Sequence, residues 1–502
     1  MKILSAKQIR IADAFTIKHE PIASIDLMER AALRLADIFY QNHDPKNKLA
    51  IVCGTGNNGG DGLALSRLLL EKGYKVQTYI VQDKKGGSED FNTNLARLKP
   101  LLQVNIIGNN KSIPDFNAYH TIIDALFGTG LTRTVSGLFA DVICAINQAN
   151  REIMAIDIPS GLFADWPTES VEQAVIVKAN TTITFQLPKL AFFIPENFQY
   201  VGRWRIAEIG LNEHFINEQE SNFSTIEQAD VSKLLPIRKK FDHKGTFGHG
   251  QLIGGSYGKM GAITLAAEAF MRTGAGLLTV TIPSSGINIM QSSVPEAMVL
   301  EQPGDKHITG FNILTTINSI GIGPGLGQEK ATAKAFADFL RNNKKPLVLD
   351  ADALNIISEN REMLALLPAE TIITPHIKEF DQLAGSANNH WQRIENAKVF
   401  SQKWQLITVL KGAHTIITDQ YGKIKFNTTG NPGMATAGAG DVLLGIIASL
   451  RTQGLSSIDA AIAGTYIHGR AGDKAAHKKS MPSLIARDII DSLGEVFLGL
   501  VR

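Results

Sequence analysis

Apolar positions along this chain switch repeatedly between two periods. Over residues 5–39 they recur at helical spacing, with Met28, Ala31, Ala32 and Leu35 on one face and Glu29 and Arg30 on the other, which predicts a packing helix. The apolar run at 49–53 is short and strand-like. It ends in Gly54-Thr55-Gly56-Asn57-Asn58-Gly59-Gly60-Asp61-Gly62; residues 63–70 return to helical spacing, closed by Gly73, and a second strand is expected at 75–81. Strand, glycine loop, helix and strand make a βαβ opening. Further strands at 120–125 and 153–157 run into Asp124 and Asp157, each with a turn after it: Phe127-Gly128-Thr129-Gly130, with Arg133 beyond, and Pro159-Ser160-Gly161. In a parallel sheet these ends share one edge, so Asn58, Asp124, Asp157 and Ser160 are expected to converge on one crevice.

The stretch 211–230 is polar and patternless and reads as a linker. It separates a first domain at residues 1–215 from a second at 225–502. Beyond it, strands are predicted at 247–256, 276–282, 319–323 and 346–350, and residues 261–276 form a helix of small residues that can lie close to a sheet. The expected fold is therefore α/β in both domains.

Composition adds limits. A chain of 502 residues with 44% apolar content exceeds one ordinary core. Lys plus Arg total 50 against 48 for Asp plus Glu, so no global field draws the protein to nucleic acid or to an anionic membrane, and any phosphate site must be local. The start, residues 1–15, mixes Lys2, Lys7, Arg10 and Asp13 among apolar residues and is not a secretory signal; no run is long enough to span a membrane. Cys53 and Cys144 both sit in apolar stretches, which predicts two buried thiols in a reducing compartment. A soluble cytoplasmic protein is expected.

The loop at 54–62 contains G-x-G-x-x-G, with Asp83 placed where a ribose-binding acid would stand. A simple pyrophosphate turn would not need the amides and carboxylate of Asn57, Asn58 and Asp61, so a ligand read in detail is expected. The oxygen groups at the strand ends suit a hard, weakly held cation such as K⁺ or Mg²⁺ better than zinc. In the second half, Asn431-Pro432-Gly433-Met434-Ala435-Thr436-Ala437-Gly438-Ala439-Gly440-Asp441 runs into an apolar helix. Small residues at a helix N-terminus leave an anion hole, and Asp441 at its mouth can act on a hydroxyl that meets a phosphate. Gly321-Ile322-Gly323-Pro324-Gly325-Leu326-Gly327, Asp350-Ala351-Asp352-Ala353-Leu354, Thr374-Pro375-His376 and Lys411-Gly412-Ala413-His414-Thr415 are further strand-end candidates.

The motifs NNGGDG at 57–62, DALFGTG at 124–130 and DIPSG at 157–161 resemble the NAD(P)H-hydrate epimerase family over residues 1–215. Ala32 stands where that family usually has glycine. The resemblance implies a Rossmann-like three-layer sandwich that interconverts the R and S epimers of hydrated NAD(P)H, with K⁺ held by Asn58, Asp124 and Ser160. It assigns Asn57, Asn58, Gly59, Gly60 and Asp61, and the turn Gly128, Thr129, Gly130, Leu131, Thr132, Arg133 and Thr134, to the substrate, and Asp157 to its reacting end. GIGPGLG, DADAL, TPH, LKGAHT and NPGMATAGAGDVL together resemble the ADP-dependent NAD(P)H-hydrate dehydratase family, ribokinase-like α/β/α proteins, over residues 230–500. That resemblance assigns Ala262, Gly325, His376 and Asp441 to hydrated NAD(P)H, and Lys411, Gly412, Ala413, His414, Thr415 and Gly440 to the adenine nucleotide.

Together the two resemblances imply a bifunctional repair enzyme with NADHX, NADPHX and ADP as its small-molecule partners, Mg²⁺ with the nucleotide, and a homo-oligomeric assembly. Two other readings stand beside it: a ribokinase-like small-molecule kinase with a stable phosphorylated product, and a first half that binds nucleotide only to regulate the second.

Overall fold

Alternate residues of the strand Lys48–Cys53 (β1) face opposite sides of a sheet. Leu49, Ile51 and Cys53 join Leu35, Phe39, Leu65 and Leu69 in one core, while Ala50 and Val52 join Ile122, Val142 and Ile146 in another. Helices Ser24–Tyr40 and Asn57–Glu71 supply the first face and Leu138–Gln148 the second. Three layers result. In this computed structural model residues 1–82, 86–165, 167 and 174–501 are described, and the chain divides into two compact units, Lys2–Ser221 and Asn222–Arg502, the latter with Met1. Asp83 lies outside the described residues.

In the first unit, β1 is joined by Lys75–Val81 (β2), Asn105–Ile107 (β3), Thr121–Ala125 (β4), Glu152–Ile156 (β5), Thr181–Phe185 (β6) and Arg203–Ala207 (β7). The order is β3-β2-β1-β4-β5-β6-β7, all parallel, a Rossmann-like arrangement. The chain builds outward from β1 in both directions, so the switch point lies between the C-terminal ends of β1 and β4, where a crevice opens. Gly54 sits there. Its N–H donates to Ala125 O at 3.0 Å, and a Cβ on it would fall 2.1 Å from Leu126 O, so no other residue fits.

The second unit carries a ten-stranded sheet: Phe223–Thr225 (β8), His249–Ile253 (β9), Leu277–Pro283 (β10), Met298–Gln302 (β11), Ser319–Ile322 (β12), Leu347–Leu349 (β13), Ile372–Ile373 (β14), Ile407–Leu410 (β15), Thr415–Thr418 (β16) and Ile424–Asn427 (β17). The order is β11-β10-β9-β12-β13-β14-β15-β16-β17-β8, antiparallel only where β16 meets β15 and β17. Helices Met260–Arg272 and Ala439–Thr452 pack so closely that a Cβ on Gly445 would lie 2.2 Å from Ala266 O. Among the described residues no helix is long and apolar enough to cross a membrane.

Four expectations change. Residues 5–39 form two helices, Ala6–His19 and Ser24–Tyr40, separated at Pro21, which cannot donate a helical hydrogen bond. The supposed loop at 57–62 is the first turns of helix Asn57–Glu71. The stretch 211–230 is structured: it holds helix Glu213–Glu218, β8 and the start of helix Gln228–Leu234, and Phe223, Ser224 and Thr225 pair with Ile424, Lys425 and Phe426. Cys53 is buried, but Cys144 is exposed, because its position on helix Leu138–Gln148 faces away from the sheet.

Candidate active sites

A cleft of about 570 Å³ opens at the β1–β4 switch point. Its lining includes Asn57, Asn58 and Asp61 from the helix N-terminus, Gly128 to Arg133 from the turn after β4, and Asp157 after β5. Asp157 takes a positive φ of 66°, a costly conformation for a residue with a side chain, and the carboxylate is held by Thr184 Oγ1 at 3.2 Å and Phe185 N at 3.3 Å. Lys189 Nζ lies 2.9 Å from Asp157 Oδ1 and also donates to Thr184 Oγ1 at 2.8 Å and Leu187 O at 3.0 Å. No sequence pattern announces Lys189, since Leu187-Pro188-Lys189 has no glycine or strand-end signature. Asp13 and Arg10 are equally unannounced, and both reach the cleft from helix Ala6–His19.

Asp124 and Ser160 are hydrogen-bonded to each other beyond the cleft lining, and Asn58, on the cleft wall, stands near them through the turn at 127–128. Ser160 N and Oγ donate to Asp124 Oδ2 and Oδ1 at 2.8 and 2.6 Å, and Phe127 N donates to Ser160 Oγ at 2.8 Å. The next residue, Gly128, stands against the Asn58 side chain: a Cβ there would be 3.4 Å from Asn58 Cβ. Asp124 is wholly buried, and burial pushes its carboxyl up to about 6 against the pull of the Ser160 and Leu126 hydrogen bonds. No cationic side chain pairs with it among the described residues, and Asn58 Nδ2 is buried without a partner. A buried carboxyl that accepts three hydrogen bonds but has no cationic side chain beside it fits a monovalent cation through its oxygens and the Ser160 hydroxyl; Asn58 would join them through Oδ1, since its unpaired Nδ2 is a donor.

The second unit brings its motifs to the ends of β12 to β15. Lys411 Nζ donates to Asp350 Oδ1 at 2.8 Å, and a Cβ on Gly440 would come 3.2 Å from Lys411 Nζ and 3.3 Å from Asp350 Oδ2. Backbone pairing of His376 with Lys411 draws β14 and β15 together at this edge. His376 caps helix Ile377–Ala384: Glu379 N donates to its Nδ1 at 3.2 Å, which leaves the proton on Nε2, and the side chain is half exposed. Gly325, at φ 61°, packs on Ala262, whose Cβ would be 3.3 Å from a Cβ on Gly325. Gly412 and Ala413 expose their backbone in the turn between β15 and β16, where Thr415 Oγ1 donates to Gly412 O at 3.1 Å; His414 is partly enclosed, and burial lowers its pKa.

Asp441 lies in the first turn of helix Ala439–Thr452, whose N-cap Gly438 has φ 88°. Burial, then the charges of Asp350 and Asp352, push its carboxyl up to about 7, opposed by Lys411. Such a group takes up and releases a proton near neutrality. The turn leading to it is fixed from behind by Asp473, which accepts from Gly430 N at 3.2 Å and Asn431 Nδ2 at 3.1 Å.

Two α/β units with acidic and glycine-rich strand ends at their ligand edges define a two-domain nucleotide-handling enzyme. Comparison with known families gives the particulars. Residues 24–191 match the family described as YjeF-related protein N-terminus, and residues 251–494 match NAD(P)H-hydrate dehydratase. The bifunctional NAD(P)H-hydrate repair enzyme of Moorella thermoacetica is 35% identical over 518 residues, covering 100% of this chain and 97% of its own. That of Escherichia coli is 32% identical over 474 residues, 94% of this chain and 89% of its own. A ribokinase-like superfamily protein from Enterococcus faecalis superposes with TM-score 0.50 at 27% identity, over 56% of this chain and 98% of that one. The chain belongs to the family of bifunctional NAD(P)H-hydrate repair enzymes.

Proposed function

We propose that the two sites divide the repair between them: the cleft around Asp157 and Lys189 carries epimerisation, and the edge around Asp441, Lys411 and Gly440 carries dehydration. As a member of its family the chain epimerises R- and S-NAD(P)HX and dehydrates the S epimer to NAD(P)H at the expense of ADP. The observation that carries the assignment of the second site is the raised carboxyl of Asp441 at a helix N-terminus, beside a lysine.

In this reading Asp441 takes the proton of the substrate hydroxyl as its oxygen attacks the terminal phosphoryl group of ADP. Lys411 and the N–H groups at Gly440 face the charge that builds on the transferring group. The ring nitrogen's lone pair then expels phosphate, and loss of a proton from the adjacent ring carbon restores the dihydropyridine. Hydroxide, without an acid to protonate it, would leave poorly from the same carbon, whereas phosphate leaves well, which explains the consumption of a nucleotide. Among the described residues no three His, Cys, Asp or Glu side chains converge as a metal site. Mg²⁺ is expected on the nucleotide phosphates, where it neutralises their charge.

In the first cleft, Asn57 to Asp61 and Gly128 to Thr134 hold the dinucleotide, and Asp157 faces the hydrated ring. K⁺ at Asn58, Asp124 and Ser160 would supply the positive charge that the buried Asp124 lacks. Replacing Asp441 by Asn tests the division of labour: NADH formation from S-NADHX and ADP should stop while interconversion of R- and S-NADHX continues. Continued NADH formation, or a stable phosphorylated product from the wild-type chain, would contradict it.

A further inference from the structure

Inverting a hydrated ring carbon by loss and return of water requires proton traffic on both of its faces. One group must protonate the leaving hydroxyl, and another must take a proton from the water that returns. Asp157, held by Lys189, accounts for one of them. The cleft contains a second candidate that no motif announces. Helix Ala6–His19 turns Ile9, Arg10 and Asp13 into the cleft, on the stripe next to its buried Ala6, Ala12 and Thr16. Asp13 has no hydrogen-bond or ion-pair partner among the described residues, and it is close enough to Asp157 and Lys189 for both charges to act on it. Asp61, which lines the same cleft from helix Asn57–Glu71, feels both Asp157 and Asp13.

Resting on the reading of this cleft as the epimerisation site, we propose that Asp13 is its second proton-handling carboxylate, working across the substrate ring from Asp157. In one direction Asp13 gives its proton to the hydroxyl of the hydrated carbon. The C–O bond breaks, water departs, and the ring nitrogen's lone pair forms a C=N⁺ bond. A water molecule adds to the opposite face, its oxygen forms the new C–O bond, its proton passes to Asp157, and the nitrogen recovers its electron pair. Nothing is oxidised or reduced. The proton gained by Asp157 returns to Asp13 through Asp61 and solvent, and the reverse reaction exchanges the two roles.

The charges favour this arrangement. Three carboxylates, Asp13, Asp61 and Asp157, line one cleft with one ammonium, Lys189, which is paired with Asp157, so the cluster relieves its own repulsion by keeping a proton. Burial and the Asp157 charge push Asp13 up to about 6, against the pull of Lys189. Arg10 and Arg133 are the other charged groups lining the cleft, and both are exposed to solvent.

The test uses the full chain, separated R- and S-NADHX, and dehydration of S-NADHX with ADP as the internal measure of folding. Asp13→Asn should slow interconversion about a hundredfold or more with KM changed by less than about threefold. Asp13→Glu should recover part of the rate, and dehydration should stay at the wild-type value in both. The wild-type rate should fall as pH rises through about 6, and this alkaline limb should vanish in Asp13→Asn. Interconversion within about threefold of wild type in Asp13→Asn would overturn the proposal, as would a slowed variant that keeps the alkaline limb. If Asp157→Asn also left interconversion intact, the reading of the cleft itself would fail; loss in Asp157→Asn alone would sink only the role of Asp13.

Discussion

Lys189 Nζ stands 2.9 Å from Asp157 Oδ1, and only 1% of the lysine side chain is exposed. A buried ion pair is sensitive to loss of one partner, because the other is left charged and unpaired. Lys189→Met should therefore destabilise the chain by about 3 kcal/mol in urea unfolding. Adding Asp157→Asn to it should recover a large part of that loss. Equal stability of Lys189→Met and wild type would show that the pair does not organise the cleft.

Asp441 links activity to a cost in stability. Its carboxyl is raised in the folded chain to about 7 from an ordinary 3.8, so the folded state binds the proton more tightly than the unfolded one. The penalty is absent at low pH, where the group is protonated in both states, and it grows as pH rises from about 4 to about 7. At pH 8, Asp441→Asn should stabilise the chain by on the order of 1 kcal/mol, seen as a higher thermal midpoint, while dehydration falls by about a hundredfold or more. Calorimetry and NADH formation on one sample check both.

The same group sets a pH profile. Dehydration kcat/KM should lose about tenfold per pH unit below pH 7, where free Asp441 is protonated. Asp350 is the main neighbouring charge that raises Asp441, so Asp350→Asn should move the inflection to lower pH. An unmoved or alkaline-shifted inflection would remove Asp441 as the titrating base.

Gly440 tests the phosphate hole by size alone. A methyl group there would sit 3.2 Å from Lys411 Nζ and 3.3 Å from Asp350 Oδ2. Gly440→Ala should raise the KM for ADP at least about tenfold with epimerisation unchanged. Wild-type ADP kinetics would place the nucleotide elsewhere.

Much of the fold, and the motifs of both candidate sites, are legible in the sequence because they are local. Glycine turns after apolar strands, Asp124, Asp157 and Asp350 at the ends of such runs, and Asp441 where a small-residue turn enters an apolar helix, are written within a few residues. Lys189 and Asp13 are not. Lys189 is 32 residues from Asp157 and meets it through the return of β6, and Asp13 lies on a helix whose polar stripe looks like any solvated face. The edge strand β8 is hidden because three residues in a polar stretch carry no period. Cys144 departs from its expected burial because an apolar stretch on an amphipathic helix still has an outer side.

If one chain holds two separable activities, the fate of R-NADHX alone, followed with the full chain and ADP, reports on both at once. Wild type should convert it fully to NADH, Asp157→Asn should leave the R epimer unconverted yet process added S-NADHX, and Asp441→Asn should give a mixture of epimers and no NADH. Loss of both activities in either folded variant, or NADH formation from R-NADHX in Asp157→Asn at the wild-type rate, would contradict the division into two sites.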